Sequence, residues 1–153
     1  MDNEPVTAKS LSWTYMINAN TFEKAYKEKL SGFPTWEQKS HAEQWVLKHE
    51  NIGSRIGIDE TSFCHELYTI VHNKDRHGKK GSIIAIVKGV NPLDVAKVLL
   101  QIPADQRLKV KTATMDLSDC MRAIVREAFP EATVVRDCFH VIKRAGEGIE
   151  ELR

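Results

Sequence analysis

No run of apolar residues in this chain approaches the length that crosses a membrane, and the N-terminus lacks the basic-then-apolar build of a secretory signal. Those two absences predict a protein that stays in the cytoplasm and has no membrane partner. Cysteine is scarce as well. Cys64, Cys120 and Cys138 are odd in number and form no C-x-x-C pair, which predicts reduced thiols and argues against structural zinc. The formal net charge is only +1, so there is no wholesale basic footprint, and any contact with nucleic acid must be confined to a patch. Internal repeats and low-complexity tracts are missing too. What remains is an ordinary chain of 153 residues, able to bury a core without disulfides or metals and suited to one compact domain with an appendage.

Along the chain, residues 1–19 show no sustained period and predict a loosely structured arm. Asn20-x-x-Glu23 offers an N-cap and a reaching-back acid for a short helix that carries Phe22, Ala25, Tyr26 and Leu30 on one face, ending at Ser31-Gly32. Pro34 and Thr35-x-x-Gln38 open a second helix, with Trp36, Ala42, Trp45 and Val46 on one stripe. Both carry too few basic residues for a helix-turn-helix, which predicts packing helices or a joint to an upstream part. Residues 1–54 therefore form an arm with two short helices, and residues 55–153 a separate domain.

After Gly53 the period changes to that of strands. Arg55 to Glu60, Leu67 to Val71 and Ser82 to Val87 are β-rich runs, the last two joined by a charged, Gly-bearing turn that suggests antiparallel neighbours. Asn91-Pro92 caps a helix over 92–102 with an apolar face of Leu93, Ala96, Val98, Leu99 and Ile102. Lys109 to Asp116 reads as the fourth strand, 118–128 as a helix capped by Ser118 and stopped by Phe129-Pro130, and Thr133 to Arg136 as the fifth strand. The order β-β-β-α-β-α-β, with a right-handed crossover, predicts a mixed α/β sheet of five strands with flanking helices.

Two of these strands end in an acid. If the fourth lies parallel to the first, Asp59 and Asp116 end neighbouring strands about 5 Å apart, at the carboxyl edge where open α/β sheets hold their ligands. Alternation puts Arg55, Gly57 and Asp59 on one face and Thr112, Thr114 and Asp116 on one face. Like charges so close repel unless a cation sits between them, and hard oxygen ligands favour Mg²⁺ or Mn²⁺.

The runs Ile58-Asp59-Glu60-Thr61-Ser62, Glu66-Leu67-Tyr68-Thr69-Ile70, Ala85-Ile86-Val87-Lys88-Gly89, Met115-Asp116-Leu117 and Phe129-Pro130-Glu131-Ala132, closed by Asp137-Cys138-Phe139-His140, resemble the DDE transposases of bacterial insertion sequences. The branch they resemble is the ISL-three family, related to the Mutator-like elements, over roughly residues 20–145. The resemblance implies an RNase H-like fold that cuts and joins DNA with two divalent metals, Mg²⁺ or Mn²⁺. It makes Asp59 and Asp116 the first two acids of the triad, which bind the metal, and matches Asp137 and His140 to the family's D-x-F-H run, His140 as a catalytic residue and Asp137 as an accessory one. Its implied partners are the terminal inverted repeats of the element and further copies of the chain.

Plainer roles compete at each position. Asp59 and Asp116 could be a strand-end acid and a helix cap, His140 a satisfied near-core histidine, and Lys74, Arg76, Lys79 and Lys80 a solvated turn rather than DNA contacts. Position 138 is Cys where the family pattern has Arg, which creates Cys138-x-His140, but two ligands without a second pair are weak support for zinc. The third acid of the triad is expected on a later helix, and Glu147, Glu150 and Glu151 follow His140 too closely to supply it. They are expected on the first helix after the fifth strand. The expectation is thus a transposase domain incomplete at its C-terminus, inactive by itself, whose missing Glu and DNA-binding region come from a downstream segment or another chain. An inactive remnant that keeps the fold and binds DNA or a partner is the alternative.

Overall fold

The structure, a computed structural model, describes residues 7–76, 78–138 and 142. The chain divides into two compact units, Met1–Ala42 and Glu43–Arg153.

The first unit is more regular than its sequence suggests. Helix α1 (Ala8–Tyr15) occupies the stretch predicted to be a loose arm. Its start is fixed by Thr7 and Ser10, each side chain accepting the other's backbone N–H at 3.1 Å. Serine takes the place of the Glu or Gln that marks a capping box, so the usual pattern is absent. Helix α2 (Ala19–Ala25) is capped two residues earlier than predicted, because Asn18 Oδ1, not Asn20, accepts the Thr21 N–H at 3.0 Å. A π turn over Tyr26–Leu30 extends it. The predicted second helix is not formed. Short 3-10 turns, Phe33–Thr35 and Glu37–Ser40, replace its first half.

Its second half becomes a strand of the other unit. β1 (Trp45–Leu47) pairs antiparallel with β4 (Ile83–Lys88), which makes the sheet six-stranded where five strands are predicted. The other strands are β2 (Arg55–Phe63), β3 (Glu66–Asn73), β5 (Thr112–Met115) and β6 (Thr133–Arg136), in the order β1-β4-β3-β2-β5-β6. β2 and β3 are longer than predicted and meet in a hairpin whose two central residues, Cys64 and His65, have φ of 51° and 64°. Left-handed geometry at both positions is the type I′ turn that matches the twist of a hairpin, here built without Asn or Gly. β2, β5 and β6 run parallel, and the remaining pairs are antiparallel. The result is a six-stranded mixed sheet, antiparallel on one side of β2 and parallel on the other.

Helices α3 (Pro92–Leu99) and α5 (Asp119–Ala128) pack on each other and on one face of this sheet. Asn91 caps α3 by accepting the Leu93 N–H at 3.0 Å, with Pro92 at the first turn where its missing N–H costs nothing. α3 stops short of residue 102. A one-turn helix not anticipated from the sequence, α4 (Ala104–Arg107), follows it. Its Arg107 donates to the carbonyls of Ile102 at 3.0 Å and Ala128 at 2.9 Å, tying the loop after α3 to the end of α5. Ile56 and Ile58 of β2, Val71 of β3, Ala113 and Met115 of β5, Leu99 of α3 and Met121 and Ile124 of α5 are all buried in one core. Strand alternation then commits residues 55, 57 and 59 to the opposite face. Among the described residues no helix is long and apolar enough to cross a membrane.

Candidate functional site

The register of the parallel strands decides where the acids stand. β2 and β5 pair Arg55 with Thr112 and Ile58 with Met115, so the next step along both strands is Asp59 on one and Asp116 on the other. β5 and β6 pair Met115 with Arg136, and the Asp137 N–H donates to the Met115 carbonyl at 2.8 Å. Asp59, Asp116 and Asp137 therefore follow in sequence the same cross-strand row, with neighbouring strands about 5 Å apart. The strands on which the sequence argument depended are adjacent and parallel.

Asp59 keeps about half of its side chain in solvent, 52 % exposed, and its Oδ2 lies 3.5 Å from Nδ1 of His72. His72 stands directly opposite Gly57 in the β2–β3 register, two residues from Asp59 on the same face. A Cβ on Gly57 would fall 2.3 Å from Cε1 and 2.4 Å from Nε2 of that ring, so the glycine leaves the room in which the imidazole lies across β2 toward the carboxylate. Neither residue was singled out from sequence. The pairing of 57 with 72 depends on the hairpin register, which the Cys64-His65 turn sets without a recognisable turn signal. Gly57→Ala is expected to destabilise the fold by about 1–3 kcal/mol through overpacking, and most of that cost should vanish in a His72→Ala background. Urea unfolding of the single and double variants measures this, and equal costs in both backgrounds would contradict the contact.

Asp116 is half-buried, and its Oδ1 accepts the Ser118 N–H at 2.8 Å, a local turn that leads into α5. Ser118 stands at the cap position, but its hydroxyl makes no capping bond, and the carboxylate two residues earlier does the local work instead. The helix-cap role weighed for Asp116 thus describes one of its oxygens. Both acids are hard oxygen donors of the kind that suit Mg²⁺ or Mn²⁺, ions commonly held by one or two carboxylates together with water and substrate phosphates. Among the described residues no three His, Cys, Asp or Glu side chains gather into a metal-binding group.

The other sequence candidates are dispersed. Lys74 and Arg76 lie on a short turn after β3, and Lys79 and Lys80 just before β4, at the end of the sheet away from the acid row. His140 lies outside the described residues, as do Glu147, Glu150 and Glu151. Cys64, Cys120 and Cys138 are exposed free thiols. Glu66 pairs with Lys88 at 2.9 Å across the β3–β4 edge, in keeping with an edge role, and Glu60 is exposed.

Among solved structures the chain is similar to the catalytic core domain of BIV integrase, at 19 % identity and a TM-score of 0.43, over 62 % of this chain and 65 % of that one. The chain thus spans less than two thirds of that protein's length. No curated protein matches it. The sequence profile of the ISL3-type DDE family, whose members are described as transposases, matches residues 56–153, more than half of the chain, and takes in both strand-end acids. The chain belongs to the ISL3-type family of DDE transposases.

Proposed function

We propose that this chain is a catalytic domain of a DNA transposase, in which Asp59 and Asp116 hold the divalent metal used to cut and join the ends of an insertion sequence. The observation that supports it is the β2–β5 register, which carries an aspartate on each of two adjacent parallel strands to the same level. Bound Mg²⁺ or Mn²⁺ would supply charge neutralisation at the phosphate and an activated attacking oxygen. The chain's own contribution is position. Asp59 lies on a strand hydrogen-bonded on both sides, so its carboxylate is offered from a rigid backbone, and Asp116 is held by its bond to the Ser118 N–H with one oxygen left over. Asp137 is an accessory group at the next strand end, and His140 is proposed to meet the scissile phosphate. The DNA taken is the pair of terminal inverted repeats of the element.

Two carboxylates brought together should bind Mn²⁺ weakly, and binding should disappear when both are neutralised. Titration calorimetry of the wild-type chain and the Asp59→Asn/Asp116→Asn variant is the test. Mn²⁺ binding that survives unchanged in the double variant would put the metal elsewhere.

A further inference from the structure

The end of the sheet away from the acids carries a second charged feature. There the turn after β1, the turn after β3 and the entry into β4 enclose an open cleft of about 660 Å³, lined by Lys48, Arg76, Lys79 and Lys80 and by one acid, Glu50. Asp59 pairs with Ile70, and the cleft begins beyond Asn73, so at ~3.3 Å per residue it lies on the order of 10 Å or more along β3 from the acid row.

Two features set the backbone around Lys48 and Arg76, and a third takes the acid of the β3–β4 turn away from its cations. The Lys48 N–H donates to the Ile84 carbonyl at 2.6 Å and Asn51 Nδ2 to the Ile83 carbonyl at 2.7 Å, which straps the segment bearing Lys48 to the start of β4. Gly81 has φ of 82°, and a Cβ there would fall 2.7 Å from Nη1 of Arg76, so the absent side chain leaves room for the guanidinium against the backbone. Asp75, the acid within the turn, is engaged elsewhere. Arg55 binds it at 2.6 Å, and the hydrogen bond from that guanidinium holds the Asp75 carboxyl below its ordinary value. Arg76, Lys79 and Lys80 have no ion-pair partner among the described residues.

We propose that this cleft binds the phosphodiester backbone of DNA, at a place separate from the carboxylate row. The transposase reading enters only in naming DNA as the polyanion. Cations spread over three chain segments around a space of this size suit successive phosphates better than a single small anion. Lys48, well upstream of the turn in sequence, joins the set, and Lys74 leaves it, because Lys74 shares the turn but does not line the cleft.

That difference supplies the control. Binding of a short labelled duplex is measured by fluorescence anisotropy over a range of salt for the wild-type chain, for Lys79→Gln/Lys80→Gln and for Lys74→Gln. All three lysines are exposed, so the folded structure should survive each change. Each phosphate contact contributes about 0.9 to the slope of log K against log salt, so the double variant should be shallower by about 2, while Lys74→Gln keeps the wild-type slope. Inorganic phosphate should compete no better than its ionic strength accounts for. An unchanged slope in the double variant, an equal loss in Lys74→Gln, or no duplex binding by the wild-type chain would overturn the proposal. Strong competition by inorganic phosphate would also overturn it, assigning the cleft to a small anion. Mn²⁺ calorimetry at Asp59 and Asp116 is read separately, so failure of the cleft and failure of the carboxylate centre are distinguishable.

Discussion

Metal-dependent strand cleavage is expected to fall by ~10²–10³ or more when Asp59 is replaced by Asn, and by a similar factor for Asp116→Asn, the loss seen when one positioned charge-stabilising group is removed. Asparagine keeps the size and shape of the side chain and removes the charge. At position 116 it also keeps an oxygen able to accept the Ser118 N–H, so the turn into α5 need not change. Stability should therefore hold or rise slightly, since each substitution removes one of two neighbouring negative charges. On the proposed reading the two acids serve one metal, so the double variant should lose little more than the worse single one. Cleavage of duplex DNA bearing the terminal repeats, with Mn²⁺ present, measures this in whichever polypeptide supports it, this chain alone or joined to a segment carrying a third acid. Activity within a few-fold of wild type for Asp59→Asn would remove Asp59 from the chemistry.

The largest expected effect on stability is at Phe129. Phe129→Ala should cost about 3–5 kcal/mol, a large share of the ~5–15 kcal/mol that holds a domain together. The ring is fully buried and belongs to the core formed by the sheet with α3 and α5. Its backbone also makes the turn into β6, since the Phe129 N–H donates to Val125 at 2.8 Å and its carbonyl accepts the Ala132 N–H at 3.0 Å. β6 carries Asp137 at its end, so packing at Phe129 and the third member of the acid row are linked. Equilibrium unfolding in urea would show the loss, with Phe129→Leu milder because it leaves a smaller cavity. A loss under 1 kcal/mol for the alanine variant would mean that the turn does not depend on the ring.

The parts of this fold legible in the sequence are those with strong local signals. Asn91-Pro92 marks a helix start by itself, and the helical spacing of Met121, Ile124, Val125 and Ala128 before Phe129-Pro130 marks another element and its end. The level placement of Asp59 and Asp116 was legible because it needs only two strands of known direction and the period of two along each. β1 was not. Trp45, Val46 and Leu47 are too few to distinguish a strand from the end of a helical stripe, and pairing with Val87, Ile86 and Ala85, some 40 residues on, decides it. The contact of His72 with Gly57 and the placing of Lys48 beside the β3–β4 turn are likewise products of long-range register, which no local pattern records.

The most direct measurement is anomalous diffraction from crystals of the chain soaked in Mn²⁺. A manganese peak is predicted at the ends of β2 and β5, within bonding distance of carboxylate oxygens of both Asp59 and Asp116 and absent from Asp59→Asn/Asp116→Asn crystals. A peak bound to other residues with these two carboxylates empty, or one that persists in the double variant, would contradict the proposed catalytic centre.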